Sequence, residues 1–221
     1  MAVMTPPICP GAQAPARILT VPGIGNSSTG HWQTLWERAL PGCRRVALGR
    51  WDDPLPSIWV KRIDDAVWRR PGPVILAAHG LGCIAVAHWA ERHGEAAADG
   101  LTGALLVAPS DVERSGATLQ FARFAPIPRA RLPFPSIVVG STNDPYARID
   151  RVHDLAAAWG SAFIDVGMRG HLNAASGLGA WEFGQDLLEE LHTGTFAARL
   201  DLENYRSILR YGTRRPAGRP H

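Results

Sequence analysis

Cysteine, lysine and long apolar runs are all scarce in this chain of 221 residues. Three cysteines, Cys9, Cys43 and Cys83, are too few and too scattered for a disulfide framework or a metal cluster. No apolar run approaches the ~20 residues that a membrane-spanning helix needs, so no membrane association is expected. The N-terminus has no basic stretch followed by an apolar one. No secretory signal is expected, and a cytoplasmic protein is. Lys61 is the one lysine among 23 basic side chains. The net charge of +3 is unevenly spread, because residues 193–221 hold six arginines against two acids. The remaining chain is close to neutral. A nucleic-acid footprint puts basic residues on a face of the fold itself, so no nucleic-acid partner is expected.

What is present is ordinary globular material, 46% hydrophobic and 19% charged. The pattern divides into a Pro- and Ala-rich leader over residues 1–15, a domain over 16–192 and a tail over 193–221. Strand and helix signals alternate through the domain. Short β-prone runs fall at 18–21, 45–48, 74–78, 104–107, 136–139 and 162–166. Between them, Trp32, Leu35, Trp36 and Ala39 share one helical face, as do Trp59, Ile63 and Val67. Helices are also expected over 81–92, 149–159 and 180–191. This rhythm predicts an α/β fold, with a mostly parallel sheet flanked by helices on both faces. Residues 109–135, with five prolines, break it. They read as a lid at the C-terminal end of a strand or as an irregular crossover. In the tail, Phe196, Leu200, Ile208 and Leu209 suggest an amphipathic helix before a basic end. That helix packs on the domain, or contacts a second copy in a homodimer, or binds an anion.

Ligands of open α/β sheets bind at the carboxyl ends of strands. Three such ends stand out here. The first is the Gly-rich loop Gly23-Ile24-Gly25-Asn26-Ser27-Ser28. It lacks the third glycine of a dinucleotide-binding loop, and no cofactor is expected. The second is the sharp turn Ala78-His79-Gly80-Leu81-Gly82. It has the small-x-apex-x-small form of a nucleophile elbow, with Gly80 at the apex where Ser is usual. The third pairs Asn143-Asp144-Pro145 with Gly170-His171-Leu172-Asn173. Nucleophile position, acid and base then follow in the order Gly80, Asp144, His171. The histidines show no metal-ligand spacing. Cys83, three residues past the apex, reads as a small buried hydrophobe.

These segments, together with Gly30-His31-Trp32-Gln33 and Asn173-Ala174-Ala175-Ser176-Gly177, resemble the retinoblastoma-binding-protein-nine-like (YdeN-like) family of small serine hydrolases. The resemblance spans about residues 17–191 and implies the α/β-hydrolase fold. It implies Asp144 as triad acid, His171 as base, and the N–H groups of Ile24 and Leu81 as the oxyanion hole. Gly25, Asn26, Ser27, His31, Trp32, His79 and Asn173 would form the substrate pocket. The implied ligand is a small ester, thioester or amide. No retinoblastoma-type partner is implied, because Ala85 stands where the Leu-x-Cys-x-Glu pattern needs Glu.

The chain departs from the family at the centre of its chemistry. Gly80 carries no nucleophile, so a Ser-His-Asp acyl-enzyme cannot form at that position. Loss in the natural gene and replacement in an inactivated variant both fit such a glycine. Three readings follow from it. One is a serine-hydrolase lineage with an incomplete triad. Another is an enzyme using the His171–Asp144 pair as a general base, on water or in a lyase, cyclase or isomerase step. The third is a ligand-binding protein without turnover.

Overall fold

The structure is a computed structural model, and it describes residues 16–195. The leader and most of the tail, including the amphipathic pattern from Phe196 onward, lie outside the described residues.

Among the described residues, six parallel strands form one sheet in the order β2-β1-β3-β4-β5-β6. They are β1 (Arg17–Val21), β2 (Arg44–Arg45), β3 (Val74–His79), β4 (Gly103–Val107), β5 (Ser136–Gly140) and β6 (Ala162–Asp165). The longer helices are α1 (Trp32–Ala39), α2 (Pro56–Val67), α3 (Leu81–His93), α6 (Ile149–Trp159) and α7 (Glu182–Thr193). Two four-residue helices, α4 (Ala97–Gly100) and α5 (Leu119–Ala122), lie in connections.

Period-two alternation sends neighbouring side chains of each strand to opposite faces. In β3, Val74, Leu76 and Ala78 join the core under α2, α3 and α6. Ile75 and Ala77 join the core under α1 and α7, with Trp32, Trp36 and Leu188. Every residue of β3, β4 and β5 is buried, which is why those strands read as continuous apolar runs rather than alternating ones.

The second strand is shorter than the sequence suggests. Only Arg44 and Arg45 enter the ladder, opposite Leu19 and Thr20. The Leu48 N–H turns back to the Val46 carbonyl, and Gly49 and Arg50 follow at positive φ. That turn takes Ala47 and Leu48 off the sheet edge, while the Val46 N–H still donates to the Thr20 carbonyl of β1 at 2.9 Å; Val46 and Leu48 stay buried. The excursion over 109–135 is anchored by Phe124, Ile127, Leu132 and Phe134 in the core. Glu113 ties it down further by accepting from the Ile127 N–H and pairing with Arg151 of α6.

No helix among the described residues is long and apolar enough to cross a membrane. The β3–α3 turn is the tightest backbone approach near the strand ends. A Cβ on Gly82 would lie 2.6 Å from the Pro22 carbonyl oxygen, with the Val21 carbonyl closer still. Both obstacles are backbone and cannot swing aside. Gly82→Ala is therefore expected to destabilise the fold by about 2 kcal/mol or more, measured as a lowered urea midpoint.

Candidate active site

The turn between β3 and α3 holds Gly80 at φ 55° and ψ −122°, a backbone geometry that strains any residue with a Cβ. It is knitted into the sheet end. The Gly80 N–H donates to the Val107 carbonyl at 2.9 Å, and the Gly80 carbonyl accepts from the Cys83 N–H at 3.1 Å. The β1 loop closes over it, so that a Cβ on Gly23 would lie 3.3 Å from the Leu81 nitrogen. This brings Ile24 and Leu81 to one wall.

Asp144 and His171 arrive from the ends of β5 and β6. His171 Nδ1 lies 2.8 Å from Asp144 Oδ2 and 3.0 Å from Oδ1. The Asp144 side chain is almost fully buried, and Oδ1 also accepts from the Tyr146 N–H at 2.8 Å. The Tyr146 ring packs on the imidazole at 4.4 Å between centroids. The other ring nitrogen faces the elbow. A Cβ on Gly80 would lie 3.1 Å from His171 Nε2 and 3.6 Å from Ser110 Oγ. The structure thus brings together all three positions that the sequence singles out.

Two side chains hold the His171 backbone. His79 Nε2 bonds the His171 carbonyl at 2.8 Å, and the Trp32 indole N–H donates to the next carbonyl, Leu172, at 2.9 Å. Leu172 sits at φ 53°, so its loop conformation needs such support. The neighbours of Trp32 serve the same end of the sheet. His31 caps α1 by accepting the Gln33 N–H on Nδ1. The Gln33 amide donates to the Ala77 and Val21 carbonyls at the tips of β3 and β1. Ser27 spends its hydroxyl on Gln33 Oε1 at 2.6 Å.

A cavity of about 120 Å³ is lined by Ile24, Gly80, Leu81, His171, Phe121 and Tyr146, among others, with His79 also in its wall. An outer, more open cavity of about 520 Å³ adjoins it, lined by Gly25, Ser27, Ser28, Ala174 and Ala175. Asn26, His31 and Asn173 line both. Trp32, expected in the pocket wall, lines neither. It packs behind His31 in a cluster with Trp36 and Trp181, because its indole is committed to Leu172. Cys83 is buried, its thiol directed at the Val107 carbonyl and its pKa pushed up by burial. Ser110, Phe121 and Tyr146 line the inner cavity, a place the sequence did not assign them. Ser110 follows β4, and the strand-end rule that picked out Asp144 and His171 applies to it equally. Among the described residues no cluster of three or more His, Cys, Asp or Glu could hold a metal.

A parallel sheet with an elbow after β3, and an acid and a histidine after the last two strands, is the architecture of an α/β-hydrolase. The serine hydrolase family profile matches residues 18–190. A YdeN-like hydrolase from Pectobacterium atrosepticum is 32% identical over 80% of this chain and 90% of its own, with a TM-score of 0.70. The ydeN gene product of B. subtilis is 21% identical over 81% of this chain and all of its own, with a TM-score of 0.64. Mouse alpha/beta hydrolase domain-containing protein 10 shares the fold at 13% identity and a TM-score of 0.58, over 81% of this chain and 92% of its own. No curated protein sequence matches significantly. The chain belongs to the YdeN-like serine hydrolase family, and that membership supports a hydrolase-type function.

Burial, the Arg45 guanidinium and His171 hold the His31 pKa down to about 4. Burial, with His171 and His31 adding, holds His79 well below its usual value. Both rings fold in the neutral form. An imidazole with a depressed folded pKa contributes stability above its unfolded pKa of about 6.5 and loses it as pH falls through the folded value. For His31 the difference is about 3 kcal/mol between pH 7 and pH 4. Urea unfolding across that range is expected to show falling stability on acidification. His31→Asn, which keeps a side-chain cap for α1, is expected to flatten the slope; an unchanged slope would mean that His31 is not one of the groups responsible.

Proposed function

We propose that this protein hydrolyses small acyl compounds (esters, thioesters or amides) with His171 as a general base on water and without a covalent intermediate. The observation that carries the reading is the Asp144–His171 pair, with Nε2 3.1 Å from where a Gly80 Cβ would sit. The inner cavity reaches Gly80, Ser110 and His171, and a water in it within hydrogen-bond reach of Nε2 is the nucleophile of this reading. His171 takes the proton of this water as its oxygen attacks the substrate carbonyl carbon. The Ile24 and Leu81 N–H groups hold the resulting oxyanion. The leaving group then departs with the proton returned from Nε2. Asp144 fixes the imidazole tautomer through its contact with Nδ1. The inner cavity has the volume of about four waters, which suits an acyl group of a few carbons.

Magnitudes bound the rate. A positioned general base supplies roughly 10²–10⁴-fold. An oxyanion donor supplies about 10²–10³-fold. Losing the serine of a related triad costs on the order of 10⁶ in turnover and leaves roughly 10³–10⁴ over water. Slow hydrolysis, well above the buffer rate, is the expectation.

The test uses short-chain ester hydrolysis by the protein, by His171→Ala and by Gly80→Ser. His171→Ala is expected to lower turnover about 10²–10⁴-fold. Gly80→Ser is expected to create reactivity toward a fluorophosphonate that the Gly80 protein lacks. The backbone strain at φ 55° would cost the serine variant about 1–3 kcal/mol of stability. Turnover unaffected by His171→Ala would overturn the proposal. Ligand binding with no turnover would favour a binding protein instead.

A further inference from the structure

Ile24, Leu81, Tyr146 and Phe121 supply the apolar side of the inner cavity. The first three are committed to the elbow and the base. Ile24 and Leu81 belong to the loop and the turn that meet at Gly80, and the Tyr146 ring packs on the imidazole at 4.4 Å between centroids. Phe121 stands one ring farther out. It stacks on Tyr146 with centroids 5.9 Å apart and planes 14° from parallel, and it is buried.

The main chain that carries this ring is fixed by other residues. In the single turn of α5, the Phe121 N–H donates to the Thr118 carbonyl at 3.0 Å. Three residues on, Phe124 is fully buried against Trp59, and its carbonyl accepts from His88 Nε2 at 2.8 Å. Arg123 between them pairs with Asp53. The side chain at position 121 can therefore change size while its backbone stays in place.

Size and charge set what the cavity holds. An apolar cavity of about 150 Å³ takes one benzene molecule. The inner cavity is smaller, about 120 Å³, and has room for an unbranched chain of about four carbons. Among the described residues, no lysine, arginine, aspartate or glutamate lines it. A charged chain end would lose its hydration there and gain no ionic partner. The leaving group must depart to solvent, which the larger and more open outer cavity permits. The acyl chain is left with the inner one.

We infer that the inner cavity selects uncharged acyl chains of about four carbons, and that Phe121 is the residue that sets this length. The inference rests on the acyl-hydrolase reading for the placement of the chain. The size limit itself requires no turnover.

The test therefore joins binding to turnover. Acetamide, butanamide, hexanamide and succinamate are titrated into the intact protein, and the Tyr146 ring signals are followed by NMR. Butanamide and succinamate have equal carbon counts, and only succinamate ends in a carboxylate. Each methylene that fits is expected to tighten binding about fourfold, as from acetamide to butanamide. Hexanamide is expected to bind about tenfold more weakly than butanamide, and succinamate no tighter than acetamide. Phe121→Leu, which shortens the wall, is expected to bring hexanamide to at least the affinity of butanamide. Phe121→Trp is expected to remove the advantage of butanamide over acetamide. In turnover, Phe121→Leu is expected to raise kcat/KM for p-nitrophenyl hexanoate about tenfold and to leave hexyl acetate, extended on the alcohol side, within about twofold. Hexanamide as tight as butanamide in the unaltered protein, an order of amides that Phe121→Leu leaves unchanged, succinamate tighter than butanamide, no binding of any amide, or a gain for hexyl acetate in place of the hexanoate would each overturn the inference. If the amides follow the expected order and no ester is turned over, the chain-length assignment stands and the hydrolytic proposal fails. If hydrolysis depends on His171 and the amides show no length limit, the hydrolytic proposal stands and this inference falls.

Discussion

The close passage of the β1 loop over the first turn of α3 is the constraint on which the rest of this site depends. The Val21 and Pro22 carbonyls lie against Gly82 so tightly that no side chain fits between them. That contact fixes the pitch at which α3 leaves β3, holds Gly80 at its positive φ, and sets Ile24 beside Leu81. The Gln33 amide reinforces it by spanning the Val21 and Ala77 carbonyls, so β1 and β3 end in register with each other. The elbow is thus held by backbone packing that involves no side chain at its apex.

The surroundings of Gly80 are likewise held by contacts that need no side chain at position 80. Asp144 remains buried against His171, and His79 and Trp32 still hold the two carbonyls of the His171 loop. With glycine at the apex, the imidazole stands close to where a Cβ would be, and a serine there would press it back by a few tenths of an ångström. The Asp144–His171 pair and the loops that hold it are the features on which the proposal of hydrolysis by activated water rests.

The sheet was legible wherever burial on both faces left continuous apolar runs, as in β3, β4 and β5. It was not legible at β2, where the ladder ends at Arg45 with one further bond from the Val46 N–H to Thr20, and Leu48 is buried by core packing. Gly80, Asp144 and His171 could be found because each sits at a strand end within a recognisable local pattern. Phe121 could not, since it belongs to an irregular segment whose course follows from tertiary anchoring of Phe124, Ile127 and Phe134. Trp32 shows the limit of proximity in sequence. It neighbours His31, yet its indole serves the backbone of a loop 140 residues away instead of the cavity.

The central claim is hydrolysis without a covalent intermediate, and pre-steady-state kinetics with p-nitrophenyl acetate tests it most directly. In a stopped-flow record the protein with Gly80 is expected to release nitrophenolate linearly from the first turnover, above the buffer rate. A burst of one nitrophenolate per protein would contradict the account, because it would mean that another side chain takes the acyl group.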